Sequence, residues 1–142
     1  MWTWYNAVTR ENMLLGVDPG RSKSGLALVS EDGSLEKFTV AMMNNFAAEL
    51  QDFVQDRQVQ TIVVGNGTTS VAMQQILKDA FPTAAVQVVE ESHSTEDARK
   101  LYWQLYPPKG LKKLIPLGLQ VPPINLDGLA AVILVRRYLG VK

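Results

Sequence analysis

The stretch LLGVDPGRSKSGLALVS, residues 14–30, decides the fold. Two apolar runs flank a Pro-Gly turn and a cationic loop, and Asp18 stands where the first run ends. Met13–Asp18 reads as one strand and Gly25–Ser30 as the next, and so short a connection makes them antiparallel neighbours. An ionised carboxylate at the lip of a buried strand is costly unless something compensates for it. Asp18 is therefore either a turn residue, as Asp before Pro-Gly often is, or a ligand for a cation.

Working outward, Glu31-Asp32-Gly33-Ser34 is a turn signal and Leu35–Ala41 follows as a third strand, which completes an antiparallel meander. The pattern then changes. Asn44 or Asn45 is placed to cap a helix running to about Arg57, with Phe46, Leu50, Phe53 and Val54 on one face. Thr61–Gly65 is a β-branched run suited to a strand buried on both faces. Thr68–Ala80 reads as a second helix with Val71, Ile76, Leu77 and Ala80 apolar, and Ala85–Glu90 as a fifth strand. Ser94 opens a third helix, with Asp97 as a short-armed version of the capping box. Residues 106–124 hold five prolines and two glycines and read as a loop; a last helix runs from about Leu126 to Leu139. The expected architecture is α/β, a five-stranded mixed sheet of three antiparallel strands and then alternating α and β, with helices on both faces. Right-handed crossovers place strand four beside strand one.

The 142 residues suffice for one core and not for two ordinary domains. We expect an N-terminal extension over 1–12 and a single domain over 13–142. No run of eighteen apolar residues is present, so no membrane partner is expected. The start MWTWYNAVTREN lacks a basic region followed by an apolar one, which argues against a secretory signal. With no cysteine, thiolate zinc sites and disulfides are excluded, and the expected compartment is the cytoplasm. Fourteen cations balance fourteen acids, so any affinity for nucleic acid must come from a local patch.

Four acids stand where an element meets a loop: Asp18, Glu90, Glu91 and Asp127. If strands one and four are central, these acids share the edge outside the C-terminal ends of the parallel strands, where open α/β sheets place ligands. Carboxylates gathered there repel one another unless a cation neutralises them. An all-oxygen set suits Mg²⁺ or Mn²⁺, and two such ions can activate water and stabilise a leaving oxygen in phosphodiester cleavage. Each acid also has a plain structural reading: Asp18 as a turn residue, Asp127 as a favourable charge at a helix N-terminus, Glu90 and Glu91 as a solvated strand end.

The blocks GVDPGRSKSGLA, TIVVGNG, VVEESHSTEDAR and INLDGLAAVILVRRYL resemble those of the YqgF family, a RuvC-like branch of the RNase H fold. The resemblance spans about residues 13–140. It implies an RNase H-like domain and a metal-dependent nuclease, a Holliday-junction resolvase or a nuclease maturing the 5′ end of 16S rRNA in ribosome biogenesis. By that resemblance Asp18, Glu91 and Asp127 are the catalytic acids and hold Mg²⁺ or Mn²⁺, with Glu90 a further metal ligand. The implied partner is RNA, an rRNA precursor, or else branched DNA, with a homodimer as a candidate assembly. Two positions depart from the pattern. Strand four ends Gly65-Asn66-Gly67 where RuvC-type resolvases carry a glutamate, and Ser92 replaces the family arginine. The second departure motivates an alternative, a non-catalytic nucleic-acid-binding module on the same fold. An actin-like nucleotide-binding fold also opens with an Asp-x-Gly hairpin, but this chain is too short for its two lobes.

Around the acids, Arg21 and Lys23 are candidate phosphate contacts or plain turn cations. Asn66 either hydrogen-bonds a phosphate or tolerates a left-handed backbone. Gly20 permits the tight turn, and Gly25 permits close approach of substrate or serves packing, the commoner role. His93, the sole histidine, reads as a surface residue before it reads as a proton shuttle. Lys109, Lys112 and Lys113, with Arg99, Lys100, Arg136 and Arg137 nearby, form a candidate backbone-binding ridge. Tyr102, Trp103 and Tyr106 either stack on unpaired bases or, as we favour, pack into the core. Trp2, Trp4 and Tyr5 are placed to pack on the domain or against a partner.

Overall fold

The computed structural model describes residues 12–141; residues 1–11 of the expected extension, with Trp2, Trp4 and Tyr5, lie outside the described residues, and its last residue, Asn12, already belongs to the first strand. Strands β1 (Asn12–Asp18), β2 (Lys23–Ser30) and β3 (Leu35–Met42) form the meander, followed by helix α1 (Phe46–Val54) and strand β4 (Gln58–Gly65). Helix α2 (Ser70–Ala80), strand β5 (Ala85–Val89), helix α3 (Ser94–Leu105) and helix α4 (Asp127–Leu139) complete the order. The sheet runs β3-β2-β1-β4-β5, with β4 beside β1 as right-handed crossovers require. β1 pairs antiparallel with β2 and parallel with β4, and β4 pairs parallel with β5. This is the expected five-stranded mixed sheet with helices on both faces, consistent with an RNase H-like fold.

Because side chains alternate along a strand, each central strand serves two cores. Met13, Leu15 and Val17 of β1, Leu26 and Leu28 of β2, and Ile62 and Val64 of β4 pack with α1 and α2. Leu14, Ala27, Val29 and Val63 face the other way, toward α3 and α4. The same parity puts Gly16 and Asp18 on the α4 side. A Cβ on Gly16 would run into the Ala131 carbonyl, and one on Gly128 would lie 2.8 Å from the Thr39 carbonyl. Small residues on both partners thus let α4 lie close against the sheet.

Several expectations need correction. α1 stops at Val54, where Gln55 takes a left-handed conformation (φ 53°), and Arg57 instead pairs with Glu36 of β3 at 2.7 Å. Asn45 holds the N-cap position of α1 as expected, but its side chain makes no cap bond, and the helix follows a 3₁₀ turn over Met43–Asn45. Residues 68 and 69 precede α2, whose buried face is Ser70, Met73 and Leu77, while Val71 is 79% exposed. Of the apolar residues read there, Leu77 is buried and Ala80 packs against the core, whereas Val71 and Ile76 are exposed. Ser94 is the first residue of α3 rather than its cap; His93 holds that position at φ 62°, and Asp97 turns to Arg137 instead of back to the cap. The loop over 106–124 carries two 3₁₀ turns, Gly110–Leu114 and Leu117–Leu119. No described helix is long and apolar enough to cross a membrane.

Candidate functional site

Asp18 at the end of β1, Glu91 just beyond β5 and Asp127 at the start of α4 lie near enough for the charges of the latter two to act on Asp18. Glycines make the convergence possible. Asp18 pairs across the ladder with Gly25 of β2. A Cβ on Gly25 would overlap the backbone carbonyl of Asp127, so the missing side chain is the space into which α4 delivers its first residue. Gly25 therefore serves packing, not a substrate approach. On the other flank, Cβ atoms on Gly65 and Gly67 would meet the two carboxylate oxygens of Glu91. The Gly65-Asn66-Gly67 turn is a cradle for that carboxylate. Asn66 holds it in register, its side-chain oxygen accepting from the Glu91 backbone N–H at 3.2 Å. Asn125 does the same for the last helix, accepting from the Asp127 N–H at 2.8 Å.

The electrostatics of this cluster are unusual. Burial, then the charges of Glu91 and Asp127, push the Asp18 carboxyl up from an ordinary 3.8 to about 7. A side-chain interaction with Glu91 adds to the upward push on Asp18. Glu91 Oε2 is otherwise buried with no donor. A buried carboxyl oxygen without a donor beside a carboxyl that resists ionisation is an arrangement that a positive charge would relieve. The donors are all oxygen, which fits Mg²⁺ or Mn²⁺. As the side chains stand, no three His, Cys, Asp or Glu residues among the described residues are drawn close enough to clasp an ion.

A pH dependence follows. A carboxyl held at about 7 in the folded state and near 3.8 unfolded favours folding while protonated, and that contribution is lost as pH rises from about 4 through 7. In metal-free buffer, the Asp18→Asn variant should therefore gain on the wild type as pH rises from 5 to 8, by roughly 1–3 kcal/mol. Urea unfolding of both proteins across that range checks it; parallel curves would contradict it.

The remaining predicted residues fall into place unevenly. Glu90 points away: its carboxylate accepts from Ser92 Oγ at 2.8 Å, and its backbone carbonyl accepts from Arg137 at 2.9 Å. Arg137 also binds Asp97 at 2.9 Å, tying the end of β5 to α3 and α4. Arg21 and Lys23 are exposed at the β1–β2 turn, which Gly20 tightens by packing on the Lys23 carbonyl. Lys109, Lys112 and Lys113 are exposed along the 106–124 segment, away from the acids in sequence and joined to them by no described contact. His93 is on the surface, 3.4 Å from Glu96. Tyr102 is buried, Trp103 half-buried and Tyr106 exposed, so the aromatic face is only partly core. Gly65, Gly67, Asn125 and Arg137 are site-building residues beyond the predicted set. A Gly-Asn-Gly at the end of a parallel strand was the available signal for the first two.

The family described as the Tex protein YqgF-like domain matches residues 12–100. No curated protein matches the chain. Among solved structures, a ROK family transcriptional regulator, homolog of the E. coli MLC protein, shares 16% identity at TM-score 0.45, over 63% of this chain and 30% of that one. A "putative sugar kinase" from Cytophaga hutchinsonii shares 17% identity at TM-score 0.43, over 73% of this chain and 42% of that one. The chain thus spans less than half of either protein, and at that similarity neither bears on its chemistry.

Proposed function

Because the chain belongs to the family of YqgF-like domains, a family with a nuclease-like fold, we propose that it is a metal-dependent endonuclease hydrolysing phosphodiester bonds in structured nucleic acid. The observation that carries the proposal is the orphaned Glu91 Oε2 facing a carboxyl pushed up to about 7. Asp18, Glu91 and Asp127 would hold Mg²⁺ or Mn²⁺, which supplies charge for the scissile phosphate and a more acidic water. The chain's own contribution is placement. Asn66 and Asn125 fix the backbones of Glu91 and Asp127, while Gly25, Gly65 and Gly67 leave room for the acids to meet. Structured RNA, an rRNA precursor cut at the 5′ side of 16S rRNA, is the substrate we favour; a Holliday junction is the second. That ranking rests on the family.

Cleavage of labelled RNA and four-way DNA panels, with Mg²⁺ and with EDTA, tests the proposal. Metal-dependent cleavage is expected. Glu91→Gln should abolish it, whereas Glu90→Gln should leave it within about two-fold, since only Glu91 faces Asp18. Ser92 in the family's arginine position supports the second reading, a binding module without catalysis. Tight binding with no cleavage in any metal would favour that reading.

A further inference from the structure

Zero net charge conceals a strong asymmetry along this chain. Through Asp97 there are six cations and thirteen acids; beyond it there are eight cations and one acid. A polyanion is therefore repelled by the part that carries most of the acidic rim and attracted by the part that follows.

Clefts run from the end of the acidic part into the positive one. A cleft of about 540 Å³ lined by Glu90, Ser92, His93 and Arg137 opens beside the rim. It shares Arg137 with a cleft of about 330 Å³ between α3 and α4, which Lys100, Gln104 and Arg136 also line. That cleft shares Lys100 and Gln104 with a third, of about 550 Å³, walled by Arg99, Trp103 and Leu117 and by one acid, Glu96. Through these shared lining residues the three clefts follow one another from Glu90, next to Glu91, along α3 to the 106–124 segment, and together they are taken as one track. Arg99, Lys100 and Arg136 have no acidic partner among the described residues, whereas Arg137 is committed to Asp97. The Trp103 indole N–H is buried without an acceptor, although its ring forms a cleft wall. Unpaired cations in a row beside an indole suit a flexible chain of phosphates and unpaired bases. A duplex keeps its bases stacked inside and offers Trp103 nothing to meet.

We infer that the track along α3 takes a single-stranded tail of nucleic acid, with phosphates on Arg136, Lys100 and Arg99 and a base against Trp103. The inference rests on the nuclease reading for its choice of ligand. The tail would leave the acidic rim past Glu90 and Arg137, so that the fold holds the substrate where its charge is positive and cuts where it is not.

Binding in EDTA, where no cleavage occurs, separates the two ideas. The probes are a fluorescein-labelled RNA hairpin carrying an eight-nucleotide tail and the same hairpin made blunt. The tailed RNA should bind at least about five-fold more tightly. Reversing Arg99, Lys100 and Arg136 together to Glu should erase that preference and flatten the slope of log Kd against log salt by about two. The neutral variant Arg99→Gln/Lys100→Gln/Arg136→Gln, with an unchanged melting temperature, should do the same and guards against misfolding. A tail preference and salt slope that survive in that variant would overturn the inference, as would equal binding of blunt and tailed RNA by the wild type. A preference for an acidic polypeptide such as poly-glutamate over the tailed RNA would also overturn it. An intact, variant-sensitive tail preference with no cleavage in Mg²⁺ would uphold the track and refute only the nuclease reading.

Discussion

Replacing Asp18 by asparagine is expected to lower metal-dependent cleavage by about two orders of magnitude or more while the protein stays folded. The two halves of that expectation have one cause. Asp18 is placed on the α4 side by strand parity, beside Glu91 and Asp127, where burial and two like charges oppose its ionisation. Asparagine keeps the shape and one acceptor oxygen but removes the charge a cation needs. The metal-free fold therefore gains while the reaction loses. Most losses of activity on mutation accompany a loss of stability; here the two should move in opposite directions. Cleavage assays paired with thermal melts at pH 8 in EDTA measure both. An inactive variant that is also markedly less stable would mean that Asp18 serves the turn, and an active one would remove it from the reaction.

The second large effect falls on stability. Gly25→Ala should destabilise the protein by about 3 kcal/mol, a large part of what a domain of this size possesses. The added methyl would overlap the Asp127 carbonyl and approach the Gly128 nitrogen, both backbone atoms at the first turn of α4, so relief requires the helix to move. Gly65→Ala makes a useful contrast. Its methyl would meet the far end of the Glu91 side chain, which can swing away. Gly65→Ala should therefore cost less stability than Gly25→Ala and act chiefly by displacing the Glu91 carboxylate. Urea denaturation of both variants checks the order; a reversal would contradict the cradle described around Glu91.

The sheet could be read from the sequence because its physics is local. Apolar runs such as Leu14–Val17 and Ile62–Val64 are strands buried on both faces, and the handedness of crossovers then puts β4 beside β1. Helix α1 was legible for the same reason, with Phe46, Leu50, Phe53 and Val54 all buried. The buried face of helix α2 was not legible because its apolar residues lie on two faces: Met73 and Leu77 are buried and Val71 is exposed. The caps were legible only in part: Asn45 holds the N-cap position of α1 without a side-chain cap bond, and Ser94 is the first residue of α3, one place past its cap. Of the four acids, sequence could place all at one edge but could not choose between Glu90 and Glu91. The choice is tertiary: a glycine turn from β4 receives one side chain, while Ser92 occupies the other. Gly25 illustrates the same limit, since its purpose depends on a helix about a hundred residues later in the chain.

The central claim is that Asp18, Glu91 and Asp127 form a cation site, and the anomalous signal of crystals soaked in Mn²⁺ tests it most directly. A peak about 2.2 Å from oxygens of all three carboxylates is predicted, with Glu90 still bonded to Ser92. Ordered carboxylates at the rim with no peak between them, in crystals at saturating Mn²⁺, would contradict it.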